Sequence, residues 1–296
     1  MIEKLLIKKY RIRLSFILLL SCFTTLVNAE HGIWVAKKGG QQITIVAITT
    51  FVKPAQWPLP APYQKVLNEA EQVVFQTVPD GLIADINNWY VANLKILPET
   101  ESLKDKVSAD IWQQLLAYQD KNALFTENIL KTLSPMSVCV LLYIIESGEL
   151  GYSLRLQEAL YNEAKQKDKI ILSLSELFED RELFMAVDRT DTNQYIKACL
   201  SDNKNENPTA DEYNETVYKG DLEQINEWDK KSGFSKLSKV KEVIDQKKVI
   251  YARSIDELSG KKEKTLVYIN VVGLIGEKGL LSLLQEKGYQ ISKYQE

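Results

Sequence analysis

Two short apolar runs, Ile33-Trp34-Val35-Ala36 and Gln42–Ile48, are separated by Lys37-Lys38-Gly39-Gly40. A glycine pair supplies the positive φ angles that a tight hairpin needs, so this spacing predicts two antiparallel strands. Further strand-length apolar runs follow at Val73–Val78, Lys169–Leu174, Thr265–Val272 and Gln290–Tyr294. Between them the period changes to three and four residues. Helices are predicted from Pro62 to Glu71 and over Leu154–Lys167, Tyr218–Lys230, Leu237–Lys247 and Glu277–Lys287. Residues 83–147 are mostly helical: Leu103, Val107, Ile111 and Leu115 share one face, and Ser134 caps a helix opened by Pro135. The run Val138–Ile145 is apolar on all sides, as in a buried core helix, and is too short to span a bilayer. Residues 49–60 form a proline-punctuated loop, and Ser201–Asn214, polar and carrying Pro208, a surface loop. Strands alternating with helices imply an α/β, or mixed α+β, domain: a central sheet flanked by helices, with 83–147 as a helical cap or insertion.

The first 29 residues have a different character. Lys4, Lys8, Lys9, Arg11 and Arg13 precede an apolar run from Leu14 to Leu20 that weakens toward Val27, and Val27-Asn28-Ala29 has the small residues of a cleavage site. This is the pattern of a secretory signal peptide cut near Ala29, leaving residues 30–296 as a single exported domain, periplasmic or secreted. An uncleaved anchor and a lipid attached at Cys22 are the rival readings. Cleavage removes five basic residues and one acidic one, moving the formal charge from −3 to −7. So acidic a chain is a poor partner for nucleic acid, because little of it neutralises phosphate. No membrane span is expected in the mature chain. Cys139 and Cys199 are the thiols outside the leader. They either pair in an oxidising compartment or stand as two buried small hydrophobes.

The segment Ala47-Ile48-Thr49-Thr50-Phe51-Val52-Lys53-Pro54-Ala55-Gln56-Trp57-Pro58-Leu59-Pro60 resembles a signature of the TraB/GumN family, written roughly Gly-Thr-x-His-x-x-x-Pro-x-x-x-Pro-Leu-Pro. Three further stretches follow in order. Tyr218-Lys219-Gly220-Asp221-Leu222 resembles an aromatic-x-Gly-Asp-Leu element. Arg253-Ser254 stands where the family has Arg-Asn. Gly276-Glu277-Lys278-Gly279-Leu280-Leu281 through Lys287-Gly288-Tyr289-Gln290-Ile291 resembles its closing strand, helix and strand. The resemblance covers about 260 residues. It implies a site of Gly-x-x-His-type motifs and a carboxylate around a divalent metal, as in Tiki-type metalloproteases.

The frame is kept, and the chemistry is replaced. Ala47 stands for the glycine and Thr50 for the first histidine. Gln76 stands for the glutamate after the first apolar strand, Val78 for an acid two residues on, and Ser175 for a glutamate after Leu174. The family's Gly-His-Leu aligns with Val272-Gly273-Leu274, so the second histidine is lost as well. The single histidine of the chain, His31, lies outside these motifs. Thr50 and Gln76 are neutral, weak ligands that do not hold a divalent ion. The expectation is a degenerate site with no catalytic residues, no metal and no cofactor. Thr50, Gln76 and Arg253 remain candidates for ligand binding through the old cleft.

Other groups read more plainly. After cleavage at Ala29, His31 would be the second residue, where an amine and an imidazole chelate copper or nickel by chance in many secreted chains. Glu176, Glu179, Asp180, Asp188 and Asp191 form an acidic neighbourhood typical of a solvated face. Trp34, Trp57, Trp89, Trp112 and Trp228 are scattered as packing anchors. Three functional readings follow: an inactive exported protein that binds an unknown protein or small ligand, a divergent metal- or carboxylate-based hydrolase, and an envelope structural factor.

Overall fold

The structure, a computed structural model, describes residues 31–77, 97–120, 125–174, 185–201, 208–258 and 264–295. The leader, Val78, Trp89, Ser175, Glu176, Glu179 and Asp180 lie outside the described residues. Glu30–Tyr294 form one compact unit.

The hairpin forms as its glycines require. β1 (Ile33–Lys38) and β2 (Gln41–Ile48) pair antiparallel with Lys38 opposite Gln41, and Gly39 and Gly40 turn at φ 57° and 82°. β3 (Phe51–Val52) and α1 (Ala61–Glu69) follow, then β4 (Gln72–Phe75). A helical stretch comprises α2 (Leu103–Lys106), α3 (Ala109–Leu116), α4 (Glu127–Thr132) and α5 (Pro135–Glu149). Ser134 caps α5 by accepting from the Ser137 amide. β5 (Leu154–Arg155), α6 (Leu156–Gln166) and β6 (Ile170–Ser173) return the chain to the sheet, with β5 pairing β3 in a small ribbon. Next come α7 (Thr192–Ser201), α8 (Ala210–Lys219), α9 (Leu222–Lys231) and α10 (Ser238–Leu258). The chain closes with β7 (Thr265–Asn270), α11 (Leu280–Glu286) and β8 (Gln290–Lys293).

The central sheet has strand order β6-β4-β7-β2-β1-β8. The run β6, β4, β7 and β2 is parallel, and β1 lies antiparallel to both β2 and β8. The fold is thus mixed α/β, as the alternating periodicity implies. One face, with Ile43, Ile45, Ala47, Val267 and Ile269, packs on Val217, Ile225, Tyr251, Ile255, Leu280 and Leu284 of α8 to α11. The other face, with Ile33, Val46, Phe75 and Tyr268, packs on Tyr63 and Leu67 of α1 and Leu156, Leu160 and Tyr161 of α6. A third core is wholly helical. It gathers Ile111, Trp112, Leu115, Leu142 and Ile145 with Tyr195 and Ile196 of α7 and Val240 of α10. The helical layer therefore draws in α7 and the start of α10 in addition to the described part of 83–147. Among the described residues, no helix is long and apolar enough to cross a membrane.

The structure decides one open alternative and corrects two helix boundaries of the sequence reading. Cys139 of α5 and Cys199 of α7 form a disulfide, with Cα atoms 5.6 Å apart, so the pairing alternative holds rather than two thiols. Residues 210–214 are helical rather than loop. Thr209 accepts from the Glu212 amide at 3.2 Å, and Glu212 accepts from the Thr209 amide at 2.9 Å, a reciprocal cap that starts α8 just after Pro208. The helix expected over Tyr218–Lys230 is two helices. Gly220, at φ 69°, ends α8 in the left-handed conformation, and the Asp221 side chain caps α9 through the Gln224 amide.

Candidate functional site

Parallel strands put their carboxyl ends on one side of the sheet. β2 ends at Ile48, β4 at Phe75 and β7 at Asn270, with Ile48 in register with Asn270. Each strand then hands the chain to a polar residue or a tight turn. The chain leaves β4 for β6 toward one edge of the sheet, and leaves β7 for β8 at the other edge. Where neighbouring strands send their connections in opposite directions, a crevice opens at their carboxyl ends. Here it is a cleft of about 300 Å³, lined by Gln76, Gln157, Lys247, Lys248, Asn270 and Gly273 among others.

Asn270 organises this end of the sheet. Its backbone N–H donates to Gln76 Oε1 at 2.8 Å. Its Oδ1 accepts the Val272 amide at 3.1 Å, which turns the chain into the single 3-10 turn Val271–Gly273. Its Nδ2 donates to Thr50 Oγ1 at 3.4 Å. A β-carbon added at Gly273 would lie 3.9 Å from Gln76 Nε2 and 2.9 Å from Ile269 Cγ1. Thr50, Gln76 and Gly273 are therefore brought together, although 197 residues separate Gln76 from Gly273 in the sequence.

The remaining candidates divide. Ala47 is buried in the sheet core, and Val272 lines the cleft half-buried. Thr49, not Thr50, is the buried member of its pair, donating to Asn214 Oδ1 at 2.8 Å. Val78 and Ser175 fall outside the described residues. Arg253 is not part of the cleft lining: it is exposed on α10, 3.9 Å from Glu257 of the same helix. Its neighbour Ser254 does reach the strand ends, donating to the Leu174 carbonyl at 3.0 Å. His31 is half-buried and edge-on to Tyr63 at 6.2 Å. Asp188 and Asp191 are exposed, and Asp191 caps the Gln194 amide.

Residues 32–293 match the profile of the TraB/PrgY/gumN family. The chain belongs to that family. No curated protein and no solved structure matches it.

In this TraB/PrgY/gumN chain the described donors do not fit the divalent metal that the resemblance implies. The Gln76 and Asn270 side-chain oxygens already accept backbone amides. Thr50 offers a neutral hydroxyl. No group of three or more His, Cys, Asp or Glu converges anywhere among the described residues. The described charged residues that line the cleft are lysines. Lys248, only 6% exposed, extends from α10, where it donates to Asp245 Oδ1 at 3.3 Å and to the Ile275 carbonyl at 3.1 Å. Burial works to raise the Asp245 pKa, but Lys241 and Lys248 outweigh it and hold the carboxyl below its ordinary value. A cation entering here would meet an ammonium rather than a carboxylate.

Sequence reasoning missed Asn270, Gln157, Lys247 and Lys248. A signal existed for the lysines. Ile244, Lys247, Lys248 and Tyr251 recur at spacings of three and four, so one face of α10 carries all of them. Asn270 at the end of an apolar run, before Val-Val-Gly, is an Asx-turn signal.

Proposed function

We propose that this protein is an exported, catalytically inactive member of the TraB/PrgY/gumN family that binds a ligand through the cleft at the strand ends. One observation carries the reading. Of the positions aligned with the family's site, Gln76, Val272 and Gly273 line an open crevice, Thr50 meets Asn270 beside it, and the described groups lining it are neutral side chains and lysines. The crevice keeps Gln76, Gln157 and Asn270, polar side chains of the kind that orient a ligand. The Cys139–Cys199 disulfide and the basic-then-apolar leader support export, since such bonds persist mainly in oxidising compartments. Whether the occupant is a small molecule or a segment of a partner protein is decided by what the crevice binds.

The test is a thermal-shift screen run in parallel on the wild type and on Gly273→Leu, which puts a side chain beside Gln76. A compound at about 100 times its Kd stabilises its target by about 2.7 kcal/mol, a rise of several degrees in Tm. The reading predicts compounds that raise the wild-type Tm and leave the variant unmoved. Equal shifts in both proteins contradict the cleft. Peptide or ester hydrolysis by the wild type that a chelator abolishes contradicts inactivity.

A further inference from the structure

The two-residue strands β3 and β5 form a ribbon of their own, separate from the central sheet. So short a ladder contributes little by itself, and its position depends on what holds its two ends. The end at the cleft is closed by the Leu156 amide, which donates to the Thr50 carbonyl at 3.1 Å. Thr50 also meets Asn270 Nδ2, and Gln157, the residue after Leu156, lines the cleft. At the far end both strands are tied to one carboxylate. Asp211 of α8 accepts from Lys53 Nζ, just after β3, at 2.7 and 3.0 Å. It accepts from the Tyr152 hydroxyl, two residues before β5, at 2.5 Å. The Lys53 ammonium also lies over the Tyr152 ring, 5.0 Å from its centroid. We infer that Asp211 is an ionic clasp that fixes the β3–β5 ribbon as a wall of the cleft, so that loosening it loosens Thr50 and Gln157; this rests on the reading of the cleft as a binding site.

α8 presents the carboxylate because its start is fixed. The reciprocal cap of Thr209 and Glu212 sets Asp211 in the first turn, where the partial positive charge of a helix N-terminus favours a carboxylate. One turn on, Asn214 Nδ2 donates to the Ala210 carbonyl at 2.8 Å, and its Oδ1 accepts the Thr49 hydroxyl. The residue that leads into Thr50 is thus tied to the same helix. The hydrogen bonds from Lys53 and Tyr152 hold the Asp211 carboxyl below its ordinary value. Burial, together with the bond to Asp211, pushes the Tyr152 hydroxyl above its own. The acceptor therefore stays charged and the donor keeps its proton near neutral pH. The two joints to α8 differ in kind. Thr49 with Asn214 is buried and neutral. Lys53 with Asp211 is an ion pair with side chains 34% and 69% exposed, which dissolved salt screens. The clasp is the joint that opens, while Thr49 stays fastened.

The experiment is amide hydrogen exchange of the full chain, read by mass spectrometry on the peptides that carry Thr50–Lys53 and Leu154–Gln157. Asp211→Ala, at an exposed position, should speed exchange in both peptides about tenfold and leave those of β2 and β7 unchanged. Sodium chloride at about 1 M should move the wild type part of the way toward the variant and leave Asp211→Ala unmoved, because the ion pair it screens is already gone. Lys53→Met keeps the aliphatic stem over the Tyr152 ring, and Tyr152→Phe keeps the ring. Each should reproduce part of the effect, and neither should add to Asp211→Ala. Exchange in the ribbon that is the same in the wild type and Asp211→Ala overturns the proposal. So does an acceleration of equal size in β2 and β7, which would make Asp211 a support of the whole domain. Equal salt sensitivity in the two proteins overturns the ionic clasp. Exchange is read with no ligand present, so these outcomes bear on the clasp alone. The cleft as a binding site fails separately, when the thermal shifts do not distinguish Gly273→Leu from the wild type.

Discussion

The side-chain oxygen of Gln76 accepts the backbone N–H of Asn270 at 2.8 Å, joining the carboxyl ends of β4 and β7 across the cleft. This bond has a consequence for stability. Gln76→Leu leaves the Asn270 N–H without its acceptor and should cost about 1–3 kcal/mol. Gln76→Glu keeps an acceptor and should cost clearly less. Urea unfolding of both variants checks the order, and equal losses would mean that the bond contributes little.

The disulfide between Cys139 and Cys199 joins α5 to α7 in the helical layer and closes a loop of 60 residues that passes through the central sheet. Loop-closure entropy for that length corresponds to about 4 kcal/mol. Cys139→Ser with Cys199→Ser, or reduction by dithiothreitol, should lower the unfolding free energy toward that extent. Mass spectrometry of the purified chain under alkylation should find neither thiol modified until reductant is added.

Gly220 ends α8 at φ 69°, and a β-carbon there would stand 2.9 Å from both Gly32 Cα and the His31 carbonyl oxygen, and also against Lys293 Nζ. The Lys293 ammonium donates to the carbonyls of His31, Lys219 and Gly220 at this same junction. Gly220→Ala meets both a disfavoured backbone angle and this contact. It should destabilise by more than about 1 kcal/mol, read as a lower midpoint in denaturant.

Asp256 of α10 accepts from Lys38 of β1 at 2.7 Å and from the Tyr289 hydroxyl at 3.0 Å. The hydrogen bond from Lys38 holds its carboxyl below the ordinary carboxylate value against the opposing effect of burial, aided by the Tyr289 hydroxyl and the charges of Lys38 and Lys287. A depressed carboxyl pKa contributes stability that is present above the unfolded-state value and is lost as pH falls through the folded one. Asp256→Asn should therefore leave a shallower decline of Tm on acidification than the wild type shows. An unchanged acid limb would mean that other carboxylates carry it.

Much of this architecture was legible in the residues. Gly39-Gly40 fixed the first hairpin, and its register came out with Lys38 opposite Gln41. The apolar runs near Val73, Lys169, Thr265 and Gln290 all proved to be strands of the central sheet, with ends displaced by up to three residues. What failed was local chemistry outweighed by composition. Ser201–Asn214 looks like loop by polarity, yet Thr209 and Glu212 are spaced to cap a helix. Gly220 lies inside a helical period and still breaks it, because Asp221 offers a new cap. At the site, the motif positions foretold that Thr50, Gln76 and Gly273 share a place. They did not foretell Asn270 or Lys248. A lysine on a helix face reads as solvated until the neighbouring carbonyl, here Ile275, is known. Arg253 shows the converse: its motif position drew attention, but its helix turns it to solvent.

The central claim is that the cleft has exchanged metal chemistry for ligand binding. The most direct measurement is calorimetric titration of the untagged chain with Mn²⁺, Co²⁺ and Zn²⁺, repeated with His31→Ala. The account predicts no binding, or weak binding that disappears with His31. Tight one-to-one binding that survives His31→Ala would contradict it and would return a metal-dependent hydrolase to first place.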